Sequence, residues 1–318
     1  MKKLLIMISA MTAAVFSTAK ADVTVSGSAG IAMVSGGNVL DGTGNSRSTS
    51  GTLFEQGGAV SFAMSTTTAG GMTVSTSGGI TMDSNDATNA KAVSGLAAIS
   101  FAADGFTLTV GDIDLPAGGG VGEVGAVATA HVDNGGYTQT GIVTGVSDTE
   151  GYGFTASTTV GSASVTFGYL LDKAPEGSNN AESASGDYGS GVTVAMPMGD
   201  MTVTLGYANV TGTADETTAG ASVSYALGGG TLSLGYESTD EATDSSSMSA
   251  AYSGSLDADT TYAVGYTDGE QGSLASTQTE VNITRSLGGG VSVFGELQSN
   301  DGSGTSGTNI AVGTTFAF

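Results

Sequence analysis

The chain has 318 residues, a length one domain can hold, with 53 Gly, 3 Pro and neither Cys nor Trp. Charged residues are 12% of the total, about half the share of an ordinary soluble domain, and 7 Lys and Arg stand against 30 Asp and Glu, a formal net charge of -23. This excludes nucleic acid as a partner, since phosphate binding needs a basic patch, and a hydrophobic share of 39% is too low for a bundle of membrane helices.

Residues 1–21 read as a secretory signal peptide. Lys2 and Lys3 form a positive start, an apolar run extends from Leu4 to Phe16, and Ala19-Lys20-Ala21 is an A-x-A cleavage site. The run is shorter than the roughly 18 apolar residues of a membrane-spanning helix, and the absence of Cys excludes lipidation. Cleavage before Asp22 leaves residues 22–318 as one domain, in which Arg47, Lys91, Lys173 and Arg285 are the only bases.

After Asp22 a single theme repeats: a Gly-rich tight turn, then a short alternating segment that often ends in Gly-Tyr. Examples are Gly199-Asp200 before MTVTLGY and Gly228-Gly229-Gly230 before TLSLGY. Strand side chains alternate faces, so Met201, Val203, Leu205 and Tyr207 share one side while Thr202, Thr204 and Gly206 share the other. One face is apolar and the other small and polar, which suits lipid outside and water inside. The expected strands are 22–34, 52–68, 72–82, 92–103, 106–112, 150–159, 163–172 and 188–198. They continue as 201–209, 218–227, 231–238, 247–255, 260–267, 276–286, 291–298 and 307–318. Glu55 and Gln56 interrupt the alternation in the second of these. About sixteen antiparallel strands, joined alternately by tight turns and longer loops, make an all-β transmembrane barrel wide enough for an aqueous channel.

Tyr169, Tyr207, Tyr236 and Tyr266 recur at one depth after a turn, the placement an interfacial aromatic girdle requires. Residues 113–149 form an outlier, a long connection with no convincing strand pair, which is the kind that carries function. It holds Asp114, Glu123, Asp133 and Asp148, with Asp112 just before it and the single histidine, His131, within it. The last strand, NIAVGTTFAF, sets Ile310, Val312, Thr314, Phe316 and Phe318 on one face; with no strand after it, it must pair with the first.

In their order, these pieces resemble the Gram-negative outer-membrane porins of the α-proteobacterial, Rhodobacter type, which are general diffusion channels. The matching segments are DVTVSGSAGIAMV at 22–34, Ser46-Arg47-Ser48, and Val110-Gly111-Asp112 followed by Glu123-Val124-Gly125. SLGGGVSVFGE and the C-terminal NIAVGTTFAF complete the match. The resemblance implies a homotrimer of 16-stranded barrels with the third loop folded into the pore. It also implies that the strand ending in Phe316 and Phe318 is an assembly signal for the barrel-assembly machinery. The setting would be the Gram-negative outer membrane, in contact with lipid and lipopolysaccharide. In that family acidic loop residues face a basic cluster across the constriction. Arg47 matches one such base by position, and the rest of the cluster is missing here. The expected constriction, of Asp112, Asp114, Glu123, Asp133, Asp148 and Arg47, is therefore negative and cation-preferring.

No enzyme is expected. Catalysis by a Ser-His-Asp set would rest on His131 without a nucleophile-elbow motif, zinc lacks ligands, and no Gly-rich turn continues into a phosphate loop. No cofactor is implied. Calcium on the acidic stretches 83–89, 239–244 and 299–304 is a secondary expectation, although none matches a defined calcium loop. The competing reading is a secreted or outer-membrane structural or adhesive β protein without an open pore. A solenoid of that class would show one fixed short period, whereas strand spacing here varies.

Overall fold

The computed structural model describes residues 21–36, 39–40, 46–47, 51–83, 91–94, 96–116, 150–173, 188–212, 215–302 and 307–318. Among them one antiparallel sheet contains 17 strand segments. Lys91–Ser94 and Ile99–Ala103 both pair with Thr73–Asp83 and are two pieces of one interrupted strand. Counted so, the sheet has sixteen strands. They are β1 (Ala21–Gly36), β2 (Gly51–Thr67), β3 (Thr73–Asp83), β4 (Lys91–Ser94 with Ile99–Ala103), β5 (Phe106–Asp114), β6 (Glu150–Val160), β7 (Ala163–Lys173) and β8 (Tyr188–Met198). The second half comprises β9 (Met201–Thr211), β10 (Glu216–Leu227), β11 (Gly230–Asp240), β12 (Ser245–Ser255), β13 (Thr260–Gln271), β14 (Leu274–Gly288), β15 (Val291–Gly302) and β16 (Gly307–Ala317). A separate short hairpin pairs Val39–Leu40 with Ser46–Arg47.

Each strand bonds to the next, and β16 returns to β1 in the register Ser28↔Ala317 through Gly36↔Asn309. Gly27 and Phe318 then exchange both backbone hydrogen bonds, at 2.8 and 2.9 Å. The sheet is closed and leaves no row of unpaired backbone groups to lipid. Most of the tight turns gather at one end, the turn at 272–273 lying at the other. Gly228 and Gly229, with φ of 60° and 84°, make the two-residue turn between β10 and β11, a geometry whose twist matches the flanking strands and whose positive φ at both central positions glycine adopts without steric cost.

The burial pattern is that of a soluble protein turned inside out. Leu205, Tyr207, Leu234 and Tyr236 are about half exposed, whereas Ala208 and Val210 on the opposite face of β9 are buried. Large apolar side chains therefore form an outer band, as lipid requires.

All sixteen strands fall where the alternation predicts them, and β2 runs through Glu55 and Gln56, which pair with Ala32 and Ile31. Two expectations need correction. The strand expected to run unbroken over 92–103 is interrupted: the register passes from Gly79↔Ser94 to Ser75↔Ser100, and the Ala97 N–H instead donates to Ser77 O at 2.8 Å. The long loops expected in the second half are mostly strand. β11 runs to Asp240, β13 to Gln271 and β15 to Gly302, and only residues 272–273 separate β13 from β14. Beyond the apolar band the ladder continues without apolar residues, so alternation carries no signal there.

Candidate functional site

Residues paired across neighbouring strands share a side, so the outward aromatic and aliphatic residues identify the lumen by exclusion. Phe167, Val192 and Tyr207 point out. Gly168, Leu170, Gly189, Gly191, Ala208 and Val210, which alternate with them, point in.

Onto this inner face comes the chain that follows β5. Strand β5 pairs with β4 and β6 only, yet Leu115 and Pro116 lie against β7, β8 and β9. A Cβ added to Gly168 would collide with Pro116, one on Gly191 would fall 2.7 Å from the Pro116 carbonyl oxygen, and one on Gly189 would fall 3.0 Å from Leu115 Cδ1. Glycine at these positions permits the close approach. Ile113, Leu115, Leu170, Ala208 and Val210 form one buried cluster, with Ala98 packed against it. Ala98 lies beside the interruption of β4, where a Cβ on Gly111 would come within 2.9 Å of its Cα. The break thus places a small residue against the strand whose end turns inward. Burial of Leu115 contributes about 1.5–3 kcal/mol to holding this segment inside. The long connection accordingly enters the barrel at its root, and its remainder, 117–149, lies outside the described residues.

Of the expected constriction residues, Glu123, Asp133 and Asp148 fall in that part, as does His131. Asp112 and Asp114 belong to β5, paired with Tyr152 and Glu150. Both are exposed, on the same side as Val110 and Tyr152 and opposite the buried Ile113. Arg47 pairs with Val39 through its backbone in the short hairpin, and its side chain is not among those described. Of the six, only Asp112 and Asp114 have described side chains, and both lie on the outer side of β5.

The lumen carries acids that the sequence reading passed over. Glu237, Glu280 and Glu296 each precede or follow an outward residue (Tyr236, Val281, Leu297) and therefore point inward; Glu216 does so by pairing with Val210. Glu280 Oε1 accepts hydrogen bonds from Gln278 Nε2 and Gln298 Nε2, both at 2.7 Å. The signal was available, since an acid next to an outward apolar residue must face the other way.

Arg285 is the one base whose side chain is described. It lies outward at the turn end, where Nη1 donates to Thr260 Oγ1 at 2.8 Å and to Asp257 Oδ2 at 3.3 Å. The Asp257 carboxyl, in the turn outside the spanning strands, is held below the usual carboxylate range. The backbone N–H of Asp259 is the largest cause, helped by the Thr260 hydroxyl and the Arg285 charge. Asp240 and Asp244, on one of the acidic stretches named for calcium, line a surface hollow together with Glu270 of β13; among the described residues no group of three or more acids, histidines or cysteines is placed to hold a metal.

Outside, Tyr169, Tyr207, Tyr236 and Tyr266 follow one another around the wall in even steps. Tyr169 faces Ser190, whereas Tyr207 faces Val192; Tyr207 faces Ala219, whereas Tyr236 faces Ala221; Tyr236 faces Met248, whereas Tyr266 faces Ala250. Each step shifts two residues toward the turn end across two strands, the stagger of strands tilted about 35–45°. A second set, Tyr225, Tyr252 and Tyr262, lies nearer the turns, with Tyr252 and Tyr262 ring centroids 5.9 Å apart and the Tyr252 hydroxyl donating to Leu227 O at 2.9 Å. These lack the Gly-Tyr signature that marked the first row. Phe316 points outward, and the Phe318 ring lies over Gly27, where an added Cβ would collide with it.

A family model described as Gram-negative porin matches residues 7–305. No curated protein matches the sequence. Similar solved structures include an anion-selective porin from Comamonas acidovorans, 16% identical, with 94% of this chain and 100% of that one covered at a TM-score of 0.63. A loop-deletion form of OmpT, an outer-membrane protein of Vibrio cholerae, is 15% identical over 94% and 99% of the two chains at 0.66. A variant of the porin of Rh. blastica is 16% identical over 93% and 100% at 0.65. At these identities the likeness is one of fold.

Proposed function

Because the chain belongs to the Gram-negative porin family, and so to the channels of the bacterial outer membrane, we propose that its lumen passes small hydrophilic solutes passively and favours cations. The observation that carries the preference is the inward set Glu216, Glu237, Glu280 and Glu296, with Arg285, the one described basic side chain, turned outward to the rim. Carboxylates on a channel wall attract cations and repel anions at separations too short for full screening. The segment Leu115–Pro116, held on the inner wall, narrows the passage in which those charges act. The Comamonas porin is named as anion-selective; the shared fold leaves the charge of the wall free to differ.

The remaining parts of the reading are of the same kind. Residues 1–21 are removed on export, and Glu123, Asp133 and Asp148 add negative charge at the constriction, with Arg47 as the base facing them, whereas Asp112 and Asp114 hold their charge on the outer side of β5. The row of Tyr169, Tyr207, Tyr236 and Tyr266 sits at one membrane interface. Phe316 and Phe318 present the last strand to the assembly machinery, three copies associate, and the acidic loops meet lipopolysaccharide. The channel catalyses no reaction.

The test is current through purified protein in a planar lipid bilayer under a salt gradient. Discrete steps with a reversal potential of cation sign support the reading, and Glu280→Gln with Glu296→Gln should move that potential toward zero. Steps with an anion-signed potential retain the channel and overturn the preference. Silence from demonstrably folded protein overturns the channel itself.

A further inference from the structure

Resting on the reading of the chain as an outer-membrane channel, we propose that the outer wall beside the turn between β12 and β13 holds one lipid by a phosphoethanolamine headgroup. Arg285 takes the phosphate, and Asp257 and Asp259 take the ammonium. The turn, residues 256–259, is latched to β14, because the Ser286 N–H donates to Asp259 O at 2.8 Å. Arg285 is set against it by pairing with Thr260, the first residue of β13.

The guanidinium is fixed through one nitrogen. Nη1 donates to Thr260 Oγ1 and to Asp257 Oδ2, and among the described residues the Arg285 side chain has no other hydrogen bond. Nε and Nη2 remain as a planar fork, the shape that grips two phosphate oxygens. Asp257 Oδ1 accepts from the Asp259 N–H at 2.9 Å, and each carboxylate oxygen keeps a second lone pair. Both members of the ion pair are 53% exposed, so a ligand outside the barrel reaches them. Asp259 is exposed as well.

The surroundings are those of a lipid boundary. Arg285 lies two residues beyond the outward Ile283 and four beyond the outward Val281, roughly 7 and 13 Å along β14. Tyr262 pairs with Ile283 and stacks on Tyr252; rings of this kind mark the headgroup level, and the base comes just past them. Leu256, adjoining Asp257, is 63% exposed, and Leu287, at the bulge after Ser286, is 58% exposed. Leucines bared on either side of an ion pair suit a molecule with an apolar body and a charged head. The charges then select the head. Two acids against one base repel a phosphate that carries no cation of its own. A choline nitrogen has no N–H to give, whereas a primary ammonium donates to both carboxylates while its phosphate reaches Arg285.

The experiment is native mass spectrometry of the folded protein in neutral detergent, titrated with phosphatidylethanolamine, phosphatidylcholine and phosphatidylglycerol of identical acyl chains. The first phosphatidylethanolamine per chain should bind about fivefold more tightly than either of the other two. Arg285→Gln should abolish that advantage. Asp257→Asn, which keeps Arg285, should narrow the gap between phosphatidylethanolamine and phosphatidylcholine and raise the binding of phosphatidylglycerol. Heat-modifiable gel mobility confirms that each variant is folded, and Arg285→Lys, which keeps the charge and loses the fork, should retain part of the preference. Equal binding of the three lipids overturns the site, as does a preference unchanged in Arg285→Gln. Tightest binding of phosphatidylglycerol overturns the zwitterionic head in favour of a plain anion. These results stand apart from the current measurement, because lipid is counted on the folded barrel whether or not it conducts.

Discussion

Leu115→Ala tests whether the chain after β5 is held inside by its own root. The side chain is 4% exposed and packs with Ile113, Leu170, Ala208 and Val210. Truncation of a buried leucine costs about 2–5 kcal/mol, the most where the surroundings cannot collapse. Ala208 and Val210 sit on a strand bonded on both sides, so collapse is limited. Part of the loss is recovered as the freed segment meets water, which leaves about 2–3 kcal/mol against the docked state, roughly a 30- to 150-fold shift in its population. The cost falls on docking and not on closure, because the β5–β6 ladder ends at Asp114. The assay pairs heat-modifiable gel mobility, which reports the folded barrel, with single-channel conductance. The folded fraction should match the parent while conductance rises or flickers between two levels. Gly168→Val, which crowds Pro116 from the wall side, should do the same. A folded variant with the parent's single conductance level and noise would refute the reasoning, as would loss of the folded barrel, since Leu115 would then be part of what holds the wall together.

Leu234→Arg places a charge on the outer band and should cost about 2–4 kcal/mol, read as a lower urea midpoint in vesicles; Ser233→Arg, one residue away and inward, should leave that midpoint nearly unchanged and reduce cation selectivity. Phe318→Ala should lower the yield of heat-modifiable barrel in refolding, and Gly27→Leu, which displaces the same ring, should lower it too; equal yields from both would show that the contact is idle. The Asp257 carboxyl is depressed in the folded protein, so its contribution to stability is present above the unfolded carboxylate range and is lost as the pH falls through the folded value. Asp257→Asn should therefore be less stable than the parent at neutral pH, with the gap closing only in acid below the usual range. A gap that stays constant down to that pH would remove the carboxylate from the account.

Where lipid touches the protein, alternation is compulsory and the sequence is legible: Met201 to Tyr207 divide between the two faces by alternation alone. Where water touches both sides, as at Thr267–Gln271 and Ser299–Gly302, the ladder continues without that constraint and the strand ends disappear from view. The interruption of β4 was hidden for a different reason. It answers a contact with Gly111 on the next strand, and no local pattern encodes it. At the site, the long connection after β5 is legible by its length, whereas the sign of an acid does not say which way it faces. Parity was the better guide. Asp112 is two residues from the outward Val110 and shares its side, whereas Glu237, Glu280 and Glu296 each adjoin an outward residue and face the lumen.

The seam between β1 and β16 also sets a schedule for folding. It joins Gly27 to Phe318, nearly the whole length of the chain. Closing so long a loop carries an entropic cost that grows with the logarithm of its length, and contacts of such separation form slowly. The cylinder cannot be completed until β16 has been synthesised and delivered. Until then both terminal strands present bare edges that pair with whatever strand they meet. A chain cut short by a few residues loses the β16 half of the seam, and an otherwise ordinary C-terminal deletion becomes a failure of the entire wall.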